Sequence, residues 1–305
     1  MRFSFILPAW KGKYLSESVS SILAQSYTDF ELVIVDDHSP ENLKQIVSSF
    51  HDARISYYRN KENIGGKDLV AQWNHCLQYA HGDYVILATD DDLYEPDFLD
   101  NFSKMIDKYP EADLLRSRIV QVTDSGEIIG MDVYYKENLS FAEYVYSMMH
   151  GMKSGIPQYI FKREVLLKKG GFVSFPFAWA SDDASAIMMA ENGVVVSDKC
   201  MVKFRYSSGI NITSNQKLLP GKIGAAMEYY KWLCSFIRNR ISVSDAYTNY
   251  LYRNTVGFLP VYGKLLIIHQ ISPASILNKV KCFFRVVRGD AFSFRDKLSI
   301  IWRSL

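Results

Sequence analysis

The chain has 305 residues, 48% of them hydrophobic and 22% charged, which is typical of one large folded domain or one domain with a smaller appendage. Its formal net charge of +2 argues against nucleic acid as a partner, because nucleic-acid-binding proteins usually carry a strong basic excess. The four cysteines lie far apart in the sequence. This spacing argues against a zinc site and indicates free thiols in a reducing cytoplasm.

Strand and helix patterns alternate along the first 90 residues. In chain order the patterns predict a strand at 3–7, a helix at 14–25, a strand at 30–35, a helix at 43–50, a strand at 55–58, a helix at 69–80 and a strand at 84–88. This alternation predicts a parallel sheet covered by helices on both faces. In such sheets ligands bind outside the carboxyl ends of the strands.

The rest of the chain is less regular. It contains β-rich stretches at 114–122 and 200–206, and it becomes helical and aromatic after the break at Pro220 and Gly221. We therefore expect one domain at 1–215, with halves at 1–110 and 111–215, and a helical region at 216–305. No segment offers about 20 uninterrupted apolar residues, so we expect no membrane-spanning helix.

Three adjacent carboxylates, Asp90, Asp91 and Asp92, follow the fourth predicted strand. Their mutual repulsion costs stability unless a cation or hydrogen bonds compensate it. A divalent metal that bridges phosphates would do so, because hard cations prefer oxygen ligands. The alternative is that Asp92 caps a helix that begins at residue 93, which explains one aspartate and leaves two over. The cluster therefore favours metal or nucleotide binding.

A second acidic pair, Asp36 and Asp37, ends the second predicted strand. A carboxylate there can accept a hydrogen bond from a base N–H or a ribose hydroxyl. The alternative is turn chemistry, helped by Ser39 and Pro40, and for this pair taken alone the turn is the better explanation.

Seven segments of the first hundred residues, in order and at fitting spacings, resemble the nucleotide-binding half of family 2 glycosyltransferases. They are residues 5–10, 18–27, 30–39, 63–65, 73–74, 82–86 and 89–99. The resemblance implies an α/β protein with the GT-A fold, which is Rossmann-like with a mostly parallel central sheet flanked by helices, followed here by a C-terminal helical appendage. It also implies inverting transfer of a sugar from a nucleoside diphosphate, with UDP as the expected nucleotide. By the same resemblance, 1–215 is the GT-A catalytic domain, with the nucleotide-sugar half at 1–110 and the acceptor half at 111–215.

The resemblance implies a set of residues that bind the donor. Pro8 and Trp10 would wall the base pocket, with Trp10 stacking on the base. Asp37 would pair with the base, and Asn74 belongs to the matching segment at 73–74 and is expected to contact the donor. The expected partner of these residues is a nucleoside-diphosphate sugar.

The resemblance also assigns the acidic cluster. Asp90 would reach the ribose, and Asp91 would hold a Mn²⁺ or Mg²⁺ ion bound to the diphosphate. Asp92 would either assist Asp91 or cap the following helix. Oxygen ligands accept both metals, so the choice between them stays open.

Three positions depart from the family pattern. Lys11 stands where members often have Asn, and Trp73 stands where they often have Arg. Thr89 fills the first position of the Asp-X-Asp motif, which leaves the metal fewer protein carboxylates. Lys67 is a candidate to replace the lost charge near the phosphates.

The second half resembles the family more faintly, at residues 159–163, 170–172 and 181–183. The resemblance implies that an aspartate of the last segment deprotonates the acceptor hydroxyl. Asp182 is favoured as this base, with Asp183 one register away. The alternative is that Ser181 or Asp182 caps a helix at 184–191. Downstream, residues 205–214 occupy the place of a segment that closes over the donor, where Arg205 could meet the diphosphate.

The last 45 residues are basic and aromatic. From residue 261 the chain carries eight Lys and Arg against two Asp, interleaved with aromatic and aliphatic residues. Such a composition suits helices that lie on an anionic membrane, and the alternative is a helical pair packed on the catalytic domain with its basic face exposed. We expect a cytoplasmic protein, with peripheral contact at the inner face of the membrane as a possibility that the sequence leaves open.

The leading functional hypothesis is an inverting, metal-dependent glycosyltransferase that extends a glycan or lipid-linked glycan in surface polysaccharide biosynthesis. One alternative is a nucleotidyltransferase, although residues 8–13 make a poor phosphate loop. The other is a non-catalytic glycan-binding relative of a glycosyltransferase, which the departure at Thr89 keeps open.

Overall fold

The computed structural model describes residues 1–206, 215–238, 240–241 and 243–305. In the first half, strands and helices alternate as predicted. The elements are β1 (Phe3–Ala9), α1 (Leu15–Leu23), β2 (Phe30–Asp36), α2 (Leu43–Ser48), β3 (Ile55–Arg59), α3 (Leu69–Leu77) and β4 (Tyr84–Leu87). Each coincides with a predicted element to within a few residues at its ends.

The second half is mixed rather than purely alternating. It contains β5 (Leu93–Tyr94), α4 (Phe98–Lys108), β6 (Leu114–Val122), β7 (Ile128–Met131), β8 (Asn138–Leu139), α5 (Phe141–Met149), β9 (Tyr159–Lys162), α6 (Arg163–Lys168), α7 (Ser181–Met189) and β10 (Val194–Arg205). The capping alternative for Asp92 is wrong: a short strand follows it, and the next helix begins only at Phe98.

The strands that the described residues form join in one sheet with the order β3-β2-β1-β4-β9-β6-β10-β5, and β7 and β8 pair with β6 and β10. Strands β1 to β4 are parallel, whereas β9 runs antiparallel to β4 and β6. Both faces are covered. In β1, Phe5 and Leu7 point into one hydrophobic cluster and Ile6 into the other. The predicted α/β class with a mostly parallel centre is confirmed.

The C-terminal region consists of α8 (Leu219–Ile237), α9 (Ala246–Ile271), α10 (Ile276–Arg288) and α11 (Phe294–Ser304). Pro220 and Gly221 lie in the first turn of α8 rather than in a linker. Residues of α8 and α9, including Tyr229 and Leu259, share a core with the sheet. The division into domains at residue 215 stays a prediction.

Two further expectations concern the whole chain. No helix in the described part of the structure is both long enough and apolar enough to cross a membrane. All four cysteines are free thiols. The cytoplasmic location inferred from those thiols stays a prediction.

Candidate active site

A cleft of about 410 Å³ opens at the carboxyl edge of the parallel strands. Because β1, β2 and β4 run in the same direction, the residues that follow them meet at this edge. Five of the predicted site residues line the cleft, namely Pro8, Trp10, Asp37, Asp90 and Asp91. Residues that we did not assign to the donor site also line it, among them Lys11, Trp73 and Ile156.

The segment after β1 is fixed by the acidic turn after β4. One carboxylate oxygen of Asp90 accepts hydrogen bonds from the backbone N–H of Trp10 (3.0 Å) and of Lys11 (2.8 Å). The Ser39 hydroxyl donates to the carbonyl of Trp10 from the other side (2.7 Å). The Trp10 side chain stays 37% exposed at the cleft. Its backbone is therefore held while its ring remains accessible to a planar ligand.

Asp37 is buried, and its carboxylate organises the loop between β3 and α3. One oxygen accepts from the Asn60 amide (2.7 Å) and the backbone N–H of Ile64 (2.8 Å), and the other from the backbone N–H of Gly65 (2.7 Å). A Cβ on Gly65 would lie 2.8 Å from this second oxygen, so glycine permits the close approach. Asp37 therefore lies at the cleft and shapes its floor.

The acidic cluster divides into two carboxylates that line the cleft, Asp90 and Asp91, and one inside the fold, Asp92. Burial raises the pKa of Asp91 to about 6, the neighbouring Asp90 charge adds to this, and the Thr89 hydroxyl and the charges of Lys11 and Arg205 oppose it. The side chain of Asp92 is buried instead. It accepts from the Thr89 hydroxyl (2.5 Å) and the backbone N–H of Arg205 (2.8 Å). Asp91 thus faces the cleft, and Asp92 holds the end of β10 in place.

Three predicted donor-binding residues lie outside the cleft lining. The Asn74 side chain bonds the backbone of Phe172 at both its amide nitrogen (3.2 Å) and its oxygen (2.8 Å). Lys67 pairs with Glu62 on the surface (2.7 Å). Arg205 donates to the Asp91 carbonyl (3.0 Å) and to Glu17 (2.7 Å), and residues 207–214 that follow it lie outside the described part of the chain.

The two aspartates that are candidates for the catalytic base, Asp182 and Asp183, lie in the first turn of α7. Ala180 is the N-cap of this helix, and no side chain caps it. The Ser181 hydroxyl instead accepts from the Phe175 backbone N–H (3.0 Å). One Asp182 oxygen accepts from the backbone N–H of Asp183 (3.0 Å). The capping alternative is therefore wrong, and two carboxylates stand side by side without serving as a helix cap.

Backbone strain concentrates at the predicted site. Within the described ranges, the non-glycine residues with positive φ are His38 (58°), Phe177 (62°), Ala178 (52°) and Ala180 (60°). His38 follows Asp37, and the other three precede Asp182. Each such conformation costs on the order of 1 kcal/mol or more and persists only where the surroundings enforce it. Such strain clusters at ligand and catalytic sites, which supports both assignments.

A buried polar network lies behind Asp183, and no sequence pattern points to it. The Ser154 hydroxyl hydrogen-bonds Asp183 and also the Tyr159 hydroxyl (2.8 Å), which in turn lies 3.0 Å from the Tyr144 hydroxyl. Arg116 is fully buried nearby, paired with Asp132 (2.6 Å). These residues fall in the stretch between residues 114 and 176, where Tyr159 belongs to a segment that resembles the family but no motif assigns any of them a role. Only folding brings them together.

The loop that carries Ser154 connects the two groups of acids. Ser154 contacts Asp183, and Ile156, two residues later, lines the cleft. Two residues span at most about 7 Å of chain. The acidic pair of α7 therefore lies next to the cleft that contains Asp91.

A larger cavity of about 750 Å³ lies near Met1, Arg2 and Arg163, toward the amino ends of β1 and β4. Asp29, Asp83 and Glu164 line it together with basic residues, and its Arg2 is paired with Asp107 (2.7 Å). Ligands of parallel sheets bind at the carboxyl ends of the strands. We therefore assign the site to the smaller cleft.

The comparisons with known proteins agree with this geometry. The family model described as "Glycosyl transferase family 2" matches residues 4–169, which is more than half of the chain. The chain belongs to this family. The resemblance inferred from the seven segments is confirmed.

Individual relatives match over shorter spans. The chain is 31% identical to protein CgeD of Bacillus subtilis over 42% of its own length and 32% of that protein. It is 35% identical to the putative colanic acid biosynthesis glycosyl transferase WcaA of Escherichia coli over 32% of its own length and 36% of that protein. These alignments thus cover about a third of each relative.

Solved structures match over the whole chain. A crystal structure of residues 1–349 of TarS from Staphylococcus aureus, in complex with UDP-GlcNAc, superposes with a TM-score of 0.67. The match covers 99% of this chain and 90% of that one at 19% identity. The structure of the mannosyltransferase PcManGT of Pyrobaculum calidifontis, in complex with GDP-Man and Mn²⁺, superposes with a TM-score of 0.55 at 14% identity. The match covers 99% of this chain and 85% of that one. These matches confirm the GT-A fold of the chain.

The acidic pair of α7 leads to a prediction about pH. Burial raises the pKa of Asp183 to about 7, the Asp182 charge adds to this, and Ser154 and Arg116 oppose it. Because the folded protein holds this proton more tightly than the unfolded chain, the stability from this group is present below about pH 4 and is lost as the pH rises through 7. Asp183→Asn removes the penalty.

We expect the melting temperature of Asp183→Asn, relative to wild type, to rise by about 5 °C between pH 4 and pH 8. Differential scanning calorimetry of both proteins across this range measures it. Asp198→Asn, at an exposed aspartate, is the matched control. An Asp183→Asn difference that stays constant with pH would contradict the raised pKa.

Proposed function

We propose that this glycosyltransferase carries out an inverting, metal-dependent transfer of a sugar from a UDP-sugar to a glycan or lipid-linked glycan in surface polysaccharide biosynthesis. One observation carries the proposal: the cleft that contains Trp10 and Asp91 adjoins the loop whose Ser154 contacts Asp183. Donor-binding groups and a carboxylate pair thus flank one space. The nucleotidyltransferase alternative loses its support, because the family and the fold are those of glycosyltransferases.

On the donor side, the Trp10 ring would stack on the base and Asp37 would contact it. The Asp37 carboxylate accepts hydrogen bonds from three N–H groups of the protein, so the nucleotide base would meet a carboxylate that is already fixed in position. TarS, the structure with the higher TM-score, binds UDP-GlcNAc, which favours UDP. GDP is the second candidate, since PcManGT binds GDP-Man.

The residues at the cleft suit a metal shared with the donor. The described residues contain no group of three or more His, Cys, Asp or Glu side chains that could hold an ion by themselves. Asp91 would hold a Mn²⁺ or Mg²⁺ ion, with the remaining ligands supplied by the diphosphate. Asp92 does not fit this role, because its oxygens are occupied inside the fold. A bound ion would neutralise the charge that grows on the departing diphosphate.

On the acceptor side, a carboxylate of α7 would take the proton from the attacking hydroxyl. We assign this role to Asp182, with Asp183 next to it. Burial raises the pKa of both groups, which brings a carboxylate closer to the range in which a general base is effective. The strained loop at 177–180 would fix the position of the pair relative to the cleft.

A donor screen tests the proposal. The purified protein would be incubated with UDP-, GDP- and dTDP-sugars, with and without Mn²⁺, and scored by thermal shift and by release of nucleotide. We expect stabilisation by UDP-sugars that depends on metal, because Asp91 and the diphosphate would share the ion. No response to any nucleotide from the folded protein would overturn the proposal and favour a non-catalytic glycan-binding relative.

A further inference from the structure

The last two helices expose apolar side chains that nothing in the described structure covers. On α10 the residues are Ile276, Leu277, Val280, Phe284 and Val287, and on α11 with its terminal residue they are Phe294, Leu298, Trp302 and Leu305. Ile276, Phe294 and Trp302 are 82%, 77% and 79% exposed. We name these nine residues the C-terminal apolar face. Soluble proteins expose single apolar residues often but rarely expose them in contiguous sets.

The exposed residues form one stripe on each helix. The helical positions 276, 280, 284 and 287, and likewise 294, 298, 302 and 305, follow the spacing of four, four and three that keeps side chains on one side. The buried residues lie on the opposite side, at Cys282 and Val286 of α10 and at Ile300 and Ser304 of α11. Each helix therefore has one apolar side packed on the protein and a second one turned outward.

The two helices lie side by side and antiparallel. The Lys279 ammonium, near the start of α10, donates to the carbonyl of Ser304 at the end of α11 (2.7 Å). Lys297, near the start of α11, donates to the carbonyl of Val287 at the end of α10 (2.9 Å). Because both ends are joined, the two outward stripes belong to one surface.

The charge of this region differs from that of the rest of the chain. Eight of the 35 Lys and Arg but only two of the 33 Asp and Glu lie in residues 261–305, so this segment carries +6 and the other 260 residues carry −4. Lys281 and Arg288 lie beside the α10 stripe, and Arg295 lies beside the α11 stripe; all three are exposed. An apolar surface bordered by cations matches the acyl and headgroup layers of an anionic bilayer.

We propose that the C-terminal apolar face binds the surface of an anionic lipid bilayer, with α10 and α11 lying in the plane of the interface. A second copy of the chain fits this surface less well. Two-fold pairing through the same patch would bring two segments of +6 together, and like charges oppose such pairing. Neither helix meets the length and hydropathy needed to span the bilayer, so the contact is peripheral.

The C-terminal apolar face is connected through α8 to the acceptor side of the cleft. Arg285 of α10 lies against Gly224 of α8, and the Phe177 ring of the strained loop lies against Gly221, one turn earlier on the same helix. Gly221 and Gly224 are about 4.5 Å apart along the helix axis. Binding at the bilayer would thus hold the acceptor side of the enzyme close to the lipid surface.

Vesicle flotation of the full chain tests the proposal. We expect binding to vesicles of equal parts phosphatidylcholine and phosphatidylglycerol, with at least tenfold weaker binding to phosphatidylcholine alone and further weakening by salt. Brominated lipids should quench Trp302 fluorescence. Trp302→Phe, which keeps an apolar ring, should still bind but should lose that part of the quenching.

Two pairs of variants separate the apolar and the electrostatic contributions. Phe284→Glu with Trp302→Glu should abolish binding, because both side chains are more than half exposed and contribute to the stripe. Lys281→Glu with Arg295→Glu should weaken binding by about 30-fold or more. The matched controls should bind as wild type: Ile128→Glu with Met131→Glu at an exposed apolar hairpin, and Lys44→Glu with Lys168→Glu at exposed lysines elsewhere.

The outcomes are distinct. The proposal would be overturned if the protein binds neither kind of vesicle, or if the control pairs lose as much vesicle binding as the test pairs. Light scattering without lipid could instead detect a dimer. If the double variant Phe284→Glu with Trp302→Glu is then a monomer, the proposal is overturned and the face is assigned to a second copy. The inference does not depend on the proposed function, because vesicle binding requires no donor. Donor-dependent thermal shifts of the variants should equal those of the wild type.

Discussion

Asp182→Asn is expected to reduce sugar transfer by about 10²- to 10⁴-fold, the range attributed to a positioned general base. The asparagine keeps the size of the side chain and can still accept from the backbone N–H of Asp183, so the start of α7 should persist. It cannot take a proton from the acceptor hydroxyl. Donor binding should be unchanged, because the donor cleft is lined by other residues. Steady-state kinetics with the donor found in the screen, together with a thermal shift by that donor, measure both effects.

Asp183→Asn is the matched control, one residue away in the same turn. We expect it to retain most of the transfer rate and to leave the acid limb of the pH–rate profile in place. Burial and the Asp182 charge raise the pKa of Asp183, so Asp182 ionises first, beside a neutral Asp183, and loss of the Asp183 carboxyl changes that first ionisation little. If Asp183→Asn loses transfer and Asp182→Asn retains it, the register of the base is wrong by one residue.

Asp91→Asn is expected to eliminate metal-dependent donor binding and to lower kcat/KM by about 10²- to 10³-fold, the scale of losing one charge-stabilising group. The side chain faces the cleft and burial raises its pKa to about 6, so a neutral amide should cost the fold little. Calorimetric titration with UDP and Mn²⁺ measures the binding. Binding of donor and metal at the wild-type affinity would contradict the assignment of Asp91.

Asp92→Ala is the structural comparison within the same turn. Its carboxylate accepts from Thr89 and from the backbone of Arg205, so the alanine leaves buried donors unpaired. We expect a loss of about 1–3 kcal/mol in the free energy of unfolding. Donor binding at temperatures well below the transition should still respond to metal. Two neighbouring aspartates would thus fail in different assays, which separates a ligand from a fold-stabilising group.

The sequence alone predicts the parallel half of the sheet and its ligand edge. Apolar runs at 3–7, 30–35 and 84–88 form parallel strands because a helix connects each strand from β1 to β4 to the next and returns the chain to the same edge. The acids after those runs must then meet at one end of the sheet, which is why Asp37, Asp90 and Asp91 are predictable as neighbours at one cleft. The role of Asp92 is not predictable in this way, because an aspartate after a strand suits a turn and a helix start equally well.

The tertiary structure decides which of several polar residues face the cleft. Asn74 and Lys67 lie close in sequence to cleft residues, yet their side chains bond Phe172 and Glu62 instead. Arg205 reaches the acidic turn only because β10 ends beside it. The hydrogen-bond partners of Asn74 and Arg205 come from distant parts of the chain, and the partner of Lys67 comes from the opposite side of a turn. Spacing along the sequence carries no information about them.

The same limit holds for the buried network and for the C-terminal helices. Arg116 and Ser154 lie in no motif, and the segment that begins at Tyr159 assigns that residue no role. The three meet near Asp183 because antiparallel pairing of β6 and β9 places Arg116 opposite Tyr159, whose hydroxyl contacts Ser154. For α10 and α11, composition indicated amphipathic helices but left open which apolar residues would be covered. Packing on α8 and α9 covers one side of each helix and leaves the other exposed. Sequence periodicity determines that an apolar stripe exists, and only the contacts of the folded chain determine which stripe meets the core and which meets the surroundings.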